Sequence, residues 1–465
     1  MISTRNHAFR ASVFLGIALL AAWFPICRPY LRIGDDFHFA GWLLEGGIPL
    51  YFHENGIWRL IGHESGNAAT LANPFLPGFL SIITHGIGAM LFLIVLRHLL
   101  VSETLALLLA LIFAVFPWGD TALMWACEYT YLLSTTFFLA VLCLLLRGFP
   151  LKDSWNISLC ILCAALSLFA HEALFFALLI SGGFVLLRGN GYPPRQHIAL
   201  SLAPMVGCGI WAVFYKVFPG HMPPEHIKLH LRTLLSGVFY QYTNLEIFEP
   251  WRSGDTRNLL FFGWSWWQCA VGVFMLCALA LGIRKTLSIS PIKTDRTAIN
   301  DRMLTFLFTL VVASTAIYAL GGGFSLDSRK KYPVVPILLM FVGYGIERFA
   351  PRLRINRIAI VSVVLCGIAT TWLQIGLWRY ETMRLDLLVD FLRSQPRPAA
   401  VQVQWDSRIQ AAWPHSNQFW GAPVEGWVLA DAVALKMRLS PPVESSSPVT
   451  AVKFNVLQFR WESAN

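Results

Sequence analysis

Apolar runs long enough to enter a lipid bilayer recur along this chain. They fall at about 11–26, 75–96, 104–117, 130–146, 156–170, 173–187, 198–218, 258–283, 303–321, 333–347 and 358–378. A bilayer core about 30 Å thick is spanned by roughly 20 apolar residues in a helix, because only a helix or a closed barrel satisfies its own backbone there. Mean hydropathy is +0.57, and only 13% of the residues are charged. Together these values predict a mainly α, polytopic transmembrane helix bundle of about 11 spans.

The connecting charges predict the orientation. Alternate loops carry Arg97, then Arg147 and Lys152, then Arg188 and Arg195, then Arg284, Lys285, Lys293, Arg296 and Arg302, then Arg348, Arg352, Arg354 and Arg357. The turns near 117–130 and 171–172 hold no Lys or Arg. Positive charge collects on the cytoplasmic side, which puts the N-terminus inside and the C-terminus outside. The first apolar run, after Arg5 and Arg10, is then a retained signal-anchor. The net charge of +10 follows from orientation, and no nucleic-acid-binding module is present. Two outer loops, 27–72 and 219–257, are long enough to be functional.

From Arg379 the sequence changes character. RYETMRLDLLVDFLRSQ has a helical period, while AAVQVQW and TAVKFNVLQFRW alternate like strands. The expected division is a membrane domain over 1–378 and a small mixed α/β outer segment over 379–465. The nine cysteines sit almost all in or beside apolar runs and read as small buried apolar residues, not a disulfide framework; CxxC at Cys160 and Cys163 falls mid-span without a partner motif. His226 and His230 in PEHIKLH lie four apart but lack the frame of a zinc hydrolase.

The acids of GDDFHFAGW, Asp35 and Asp36, stand at the mouth of the first outer loop. A carboxylate buried centrally in a bilayer costs about 3 kcal/mol. Such a pair is either a water-facing interfacial acid or a general base, metal ligand or substrate ligand at a cavity rim. A second cluster lies in GGGFSLDSRKKYPVVP, where Arg329, Lys330 and Lys331 are cations on the outer side, against the charge trend. Arg binds phosphate through paired hydrogen bonds and Lys as a point charge, so a phosphate at headgroup level would suit them. Anionic lipid is the plainer partner for such a run.

Asp35-Asp36-Phe37-His38-Phe39 resembles the Asp-Glu-x-His-Phe signature of protein O-mannosyltransferases and the outer-loop acids of the GT-C glycosyltransferases, with Asp in the second place. Trp58-Arg59, Asn73-Pro74 and THGIGAMLFLIVLRHL, with His85 and Arg97, are similar to the second-span region of the bacterial branch. FAVFPWGDTALMWACEYTYLL resembles its turn between spans three and four. The family's acid falls at Thr121 there, and this chain has Asp120 one residue earlier and Glu128 later. SLFAHEALFFALL resembles a Lys-Glu pair, here His171-Glu172, and LDSRKKYPVVP resembles a Ser-Arg-Tyr-x-x-Pro motif with Lys330 in the Tyr place. An imidazole in place of Lys would carry charge only below about pH 6.5. Pairing of His171 and Glu172 at a helix junction is the structural alternative.

The resemblance implies a glycosyltransferase that uses a polyprenyl-phosphate-linked sugar donor and a glycan, lipid or protein acceptor. It would act with inversion at the periplasmic face of a bacterial inner membrane. Asp35 would be the base, with Asp36 a second candidate. Substrate contacts would come from His38, Arg59, Asp120, His171, Glu172, Arg329 and Lys330. No metal ligands are assigned, although a divalent metal is compatible with the superfamily. The alternatives are a transporter or flippase of lipid-linked saccharide, and a membrane scaffold presenting the tail.

Overall fold

The computed structural model describes residues 2–27, 73, 75–100, 102–118, 120–124, 129–146, 153–188, 194–218, 260, 264–286, 301–320, 331–350, 355–394, 401–404, 450–455 and 460–463. Each expected apolar run is helical over most of its described residues. α1 is Ile2–Trp23, α2 Leu76–Leu99, α3 Glu103–Val115, α4 Asp120–Met124, α5 Tyr129–Leu145 and α6 Asp153–Ala170. α7 is Phe175–Ser181, α8 Gly183–Arg188, α9 Pro194–Val217 and α10 Trp266–Thr286. α11 is Asp301–Leu320, α12 Val335–Phe349 and α13 Arg357–Ser394. Among the described residues four stretches are long and apolar enough to cross a membrane, namely Phe9–Ile26, Leu76–Leu99, Arg195–Val217 and Ile358–Gly376, and shorter apolar helices accompany them.

The bundle is apolar on its outside as well as its inside. On α2, Phe79, Ile83 and Ile87 recur every fourth residue on an exposed stripe, and α9 exposes Ile198, Leu202, Met205, Val206 and Val213. Such surface is costly in water and costs nothing against lipid chains. The interior holds the polar groups instead. Ser134 and Ser167 lie between α5 and α6, each hydroxyl donating to a backbone carbonyl, Ser134 to His171 O at 3.0 Å and Ser167 to Ser134 O at 2.8 Å. Hydroxyls that reach a carbonyl across a helix pair are the usual glue inside a membrane, where hydrophobic attraction between helices is absent.

Close approach depends on small residues. A Cβ on Gly207 of α9 would lie 2.6 Å from Ala164 Cβ and 2.7 Å from Ile161 O of α6. The run expected as one span over 173–187 is broken: a 3-10 turn, Glu172–Leu174, leads into α7, and α8 starts after Gly182. A Cβ on Gly182 would sit 1.9 Å from Ser201 O, so the chain can bend against α9 there only without a side chain.

Contacts sort the helix ends into two groups. At one end Arg97 pairs with Glu103 at 3.0 Å, Glu347 accepts from Ser102 N at 2.6 Å, and Arg348 binds Asp301 at 2.7 Å. At the other end the last turns of α1 and α3 meet His85 in the first half of α2, the residues leading into α12, and α13. Among the described residues the C-terminal portion contains three strands, β1 (Val401–Gln404), β2 (Thr450–Asn455) and β3 (Arg460–Ser463), in the order β1-β2-β3 with the first pair parallel and the second antiparallel. α13 runs unbroken through 378 and 379 to Ser394.

The eight described cysteines are free thiols; Cys143, Cys160 and Cys208 are buried, whereas Cys269, Cys277 and Cys366 face outward on the apolar surface. The sequence reading of cysteines as buried fillers therefore fails for those three, since lipid contact suits an apolar thiol as well as a core does.

Candidate functional site

The carbonyl end of α3 organises the end of the bundle shared by α1, α2 and α12. The last carbonyls of a helix have no partner within it and need donors from elsewhere. Ala114 O accepts from Trp23 Nε1 at 2.8 Å and from His85 Nε2 at 3.1 Å. Val115 O accepts from Thr371 Oγ1 at 2.6 Å, and Ile112 O from Trp118 Nε1 at 3.1 Å. Three other helices and the turn after α3 are thereby tied to its final turn.

His85 is the polar centre of this junction. A carbonyl only accepts, so Nε2 carries the proton, and Nδ1, 2.7 Å from the Tyr332 hydroxyl, accepts from it. The ring packs edge-on against Trp23 at 5.8 Å and Phe113 at 5.2 Å, with Tyr332 tilted over it at 5.6 Å. Trp23, His85 and Tyr332 are at most 1% exposed. A histidine and a phenol buried in an apolar bundle are tolerable because each hydrogen-bonding atom of the chain is used.

A second cluster closes the exit of α1. Trp372 Nε1 donates to Ala21 O at 3.0 Å, and the Arg379 guanidinium donates to Pro25 O while lying 5.9 Å from the Trp264 ring centroid. Phe24, Trp264 and Trp372 pack edge to face, with Trp264 and Trp372 4.8 Å apart. A Cβ on Gly78 would meet Ile26 O at 2.5 Å, so the start of α2 is pressed onto the 3-10 turn Phe24–Ile26.

Of the residues singled out by sequence, Asp35, Asp36, His38, Arg59, Arg329 and Lys330 lie outside the described residues, as do His226 and His230. Asp120 opens α4, and its side chain also lies outside the description. His171 and Glu172 are described. His171 is 2% exposed, lies tilted against the Tyr131 ring at 3.9 Å between centroids, and its Nδ1 accepts from Ala173 N at 3.0 Å, capping the 3-10 turn. That acceptor role leaves the ring's proton on Nε2. The 3.7 Å approach of Nδ1 to Glu172 Oε2 is then contact between an uncharged ring and a carboxylate. Glu172 is partly exposed, in the same turn. Lys331, grouped with Arg329 and Lys330 by sequence, is largely buried at the start of the turn that Val334 N closes on Lys331 O at 3.0 Å.

Sequence reasoning passed over Tyr332 and gave His85 no role. The signal available was a histidine inside the apolar run LPGFLSIITHGIGAMLFLIVL, a placement that demands a partner. Among the described residues, no three His, Cys, Asp or Glu side chains gather to hold a metal.

No protein-family model matches the chain, and no curated protein sequence does. Among solved structures, the oligosaccharyltransferase of Archaeoglobus fulgidus, crystallised with a tethered acceptor peptide containing an NVT sequon, overlaps 92% of this chain at a TM-score of 0.34 and 11% identity. The overlap takes in 63% of that protein's own length. By its helices and their apolar outer faces, the chain is a helical polytopic membrane protein.

Proposed function

We propose that the protein is an inverting glycosyltransferase of the GT-C type. It moves a sugar from a polyprenyl-phosphate donor to an envelope glycan, lipid or protein acceptor at the periplasmic face of a bacterial inner membrane. One observation carries the reading. Segment 28–72, with Asp35 and Asp36, and segment 321–330, with Arg329 and Lys330, both connect to helix ends gathered around Ala114 O. The described residues that border the two segments, Cys27 and Lys331, support reading the acid pair and the cation run as parts of one site.

In this reaction Asp35 takes the proton of the acceptor hydroxyl as its oxygen attacks the anomeric carbon from the face opposite the phosphate. The bond from that carbon to the phosphate oxygen breaks, and polyprenyl phosphate leaves with the electron pair. Arg329 and Lys330 stabilise the charge that develops on it. Asp36 and His38 orient the base, and Arg59, Asp120, His171 and Glu172 contact substrate. The donor's lipid explains a bilayer location, since each buried CH₂ holds it by about 0.8 kcal/mol.

The test is sugar transfer in membranes carrying wild type or Asp35→Asn, read against the glycan profile of cells with and without the protein. Loss of a general base lowers the rate by about 10²–10⁴-fold. Undiminished transfer by Asp35→Asn refutes the assigned base. Absence of transfer by any form, with movement of lipid-linked saccharide across the membrane, refutes the enzyme and establishes a transporter.

A further inference from the structure

We infer that the turn at His171 and Glu172 is a proton-operated switch, in which His171 either caps the 3-10 turn or pairs with the Glu172 carboxylate. The two roles use the same ring nitrogen and exclude each other. Both states are defined by bonds within the chain, so the inference stands apart from the proposed function.

In the state described, Nδ1 of His171 accepts from Ala173 N at 3.0 Å, and Glu172 Oε2 lies 3.7 Å from that same nitrogen. A nitrogen that accepts a hydrogen bond has no proton to offer a carboxylate. Proton uptake from water puts a hydrogen on Nδ1 and a positive charge on the ring. Nδ1 then repels the Ala173 N–H and donates to Glu172, which has to close by only about 1 Å to reach the length of a charge-assisted bond. One hydrogen bond is exchanged for another, and the proton decides between them.

The surroundings confine the response to this turn. The His171 N–H donates to Ser167 O at 3.0 Å and its carbonyl accepts from Ser134 Oγ at 3.0 Å, so the backbone of the residue is held on both sides. Movement falls on the ring, on Glu172 and on the turn that loses its cap. The Tyr131 ring lies 3.9 Å from the imidazole between centroids at an interplanar angle of 32°, and an aromatic face at that distance attracts a cation. Among the described residues, the titratable or charged groups facing the ring are Glu172 on the turn itself and Tyr131 of α5. α6, α7 and α11 also pack against the turn. The thiols of α6, Cys160 and Cys163, are two turns or more away along the helix. Asp301 and Arg302 stand at the other end of α11, beyond the contact of Phe306 with Gly183. α7 carries no titratable residue.

Uncapping frees the start of α7, a seven-residue helix whose other end already bends at Gly182. It also draws the partly exposed Glu172 carboxylate toward a buried ring. On the proposed function, where Glu172 contacts substrate, acid withdraws that contact.

The experiment uses full-length protein in nanodiscs with nitrogen-15 in its histidines, titrated between about pH 5 and about pH 8, the range in which imidazole changes charge. The His171 signal is the one lost in His171→Asn. Hydrogen exchange at Ala173, corrected for the intrinsic effect of pH, is followed in the same samples. In wild type, exchange at Ala173 should rise about tenfold as the His171 ring gains its proton, the equivalent of one hydrogen bond. His171→Asn should stay protected throughout, because its amide oxygen accepts from the same N–H and does not titrate. Glu172→Gln removes the partner of the charged ring and should move the transition to lower pH. Exchange at Ala173 that ignores the charge of His171, a transition that survives in His171→Asn, or Glu172→Gln that titrates as wild type would each overturn the switch and leave the proposed function standing. If His171→Asn does not fold, the exchange transition of wild type against that of Glu172→Gln decides the matter alone.

Discussion

Replacing Gly207 by alanine should weaken the protein, whereas the same change two residues later should strengthen it. The two glycines lie on one helix, α9, and share its backbone preference. Their surroundings differ completely: a methyl at 207 would come 2.6 Å from Ala164 Cβ, 2.7 Å from Ile161 O and 3.0 Å from Ala165 N, while one at 209 would meet nothing within 4 Å. Carbon atoms rest about 3.5–4.0 Å apart, so α6 and α9 must separate by about 1 Å to admit the methyl. Two of the three atoms met at 207 are backbone and have no rotamer through which to retreat. Overpacking of this kind costs about 1–3 kcal/mol. In both variants, alanine recovers about 1 kcal/mol of helix propensity. That gain cancels in the comparison, leaving Gly207→Ala about 1–3 kcal/mol below Gly209→Ala. Thermal midpoints of purified protein in detergent, read by the fraction that remains monodisperse on size exclusion, measure the gap. Equal midpoints, or Gly207→Ala the more stable of the two, would refute the α6–α9 packing described.

Other expectations concern charge and sidedness. Arg348 donates to both Asp301 oxygens, at 2.7 and 3.3 Å, and holds that carboxyl below its usual range. A lowered carboxyl pKa lends stability above the unfolded value, and this is lost as pH falls through the folded one. Asp301→Asn should therefore lower the thermal midpoint slightly at neutral pH, with the deficit vanishing on acidification; a deficit that persists in acid sinks the pair as its cause. The arrangement of basic loops predicts an outer C-terminus, on which a C-terminal alkaline phosphatase fusion should be active and a fluorescent-protein fusion dark. The reverse outcome inverts the topology and removes the proposed periplasmic site.

The spans were legible because bilayer length and apolar composition are both written locally in the chain. Their ends were less so. The break at Gly182 depends on Ser201, nineteen positions away, and no periodicity within 173–187 announces it. His171 illustrates a different limit: motif resemblance marked it for substrate contact, with pairing to Glu172 as the alternative, and neither reading included the N-cap bond it accepts from Ala173 N. The junction at Ala114 was invisible, since it joins residues 23, 85, 114 and 332, which are brought together only by the crossing of four elements. A backbone carbonyl at its centre leaves no side chain for a motif to display.

The length of α13 bears on what lies beyond the membrane. It has 38 residues, and its apolar stretch ends at Gly376. At about 1.5 Å per residue, the helix continues some 27 Å past that point, nearly the depth of a hydrocarbon core. The helix therefore passes residue 378, where the sequence changes character, without a break. Arg379, three residues beyond the apolar stretch, grips the exit of α1, so a load applied at the far end of α13 acts as on a lever whose fulcrum is the Trp372–Arg379 clamp.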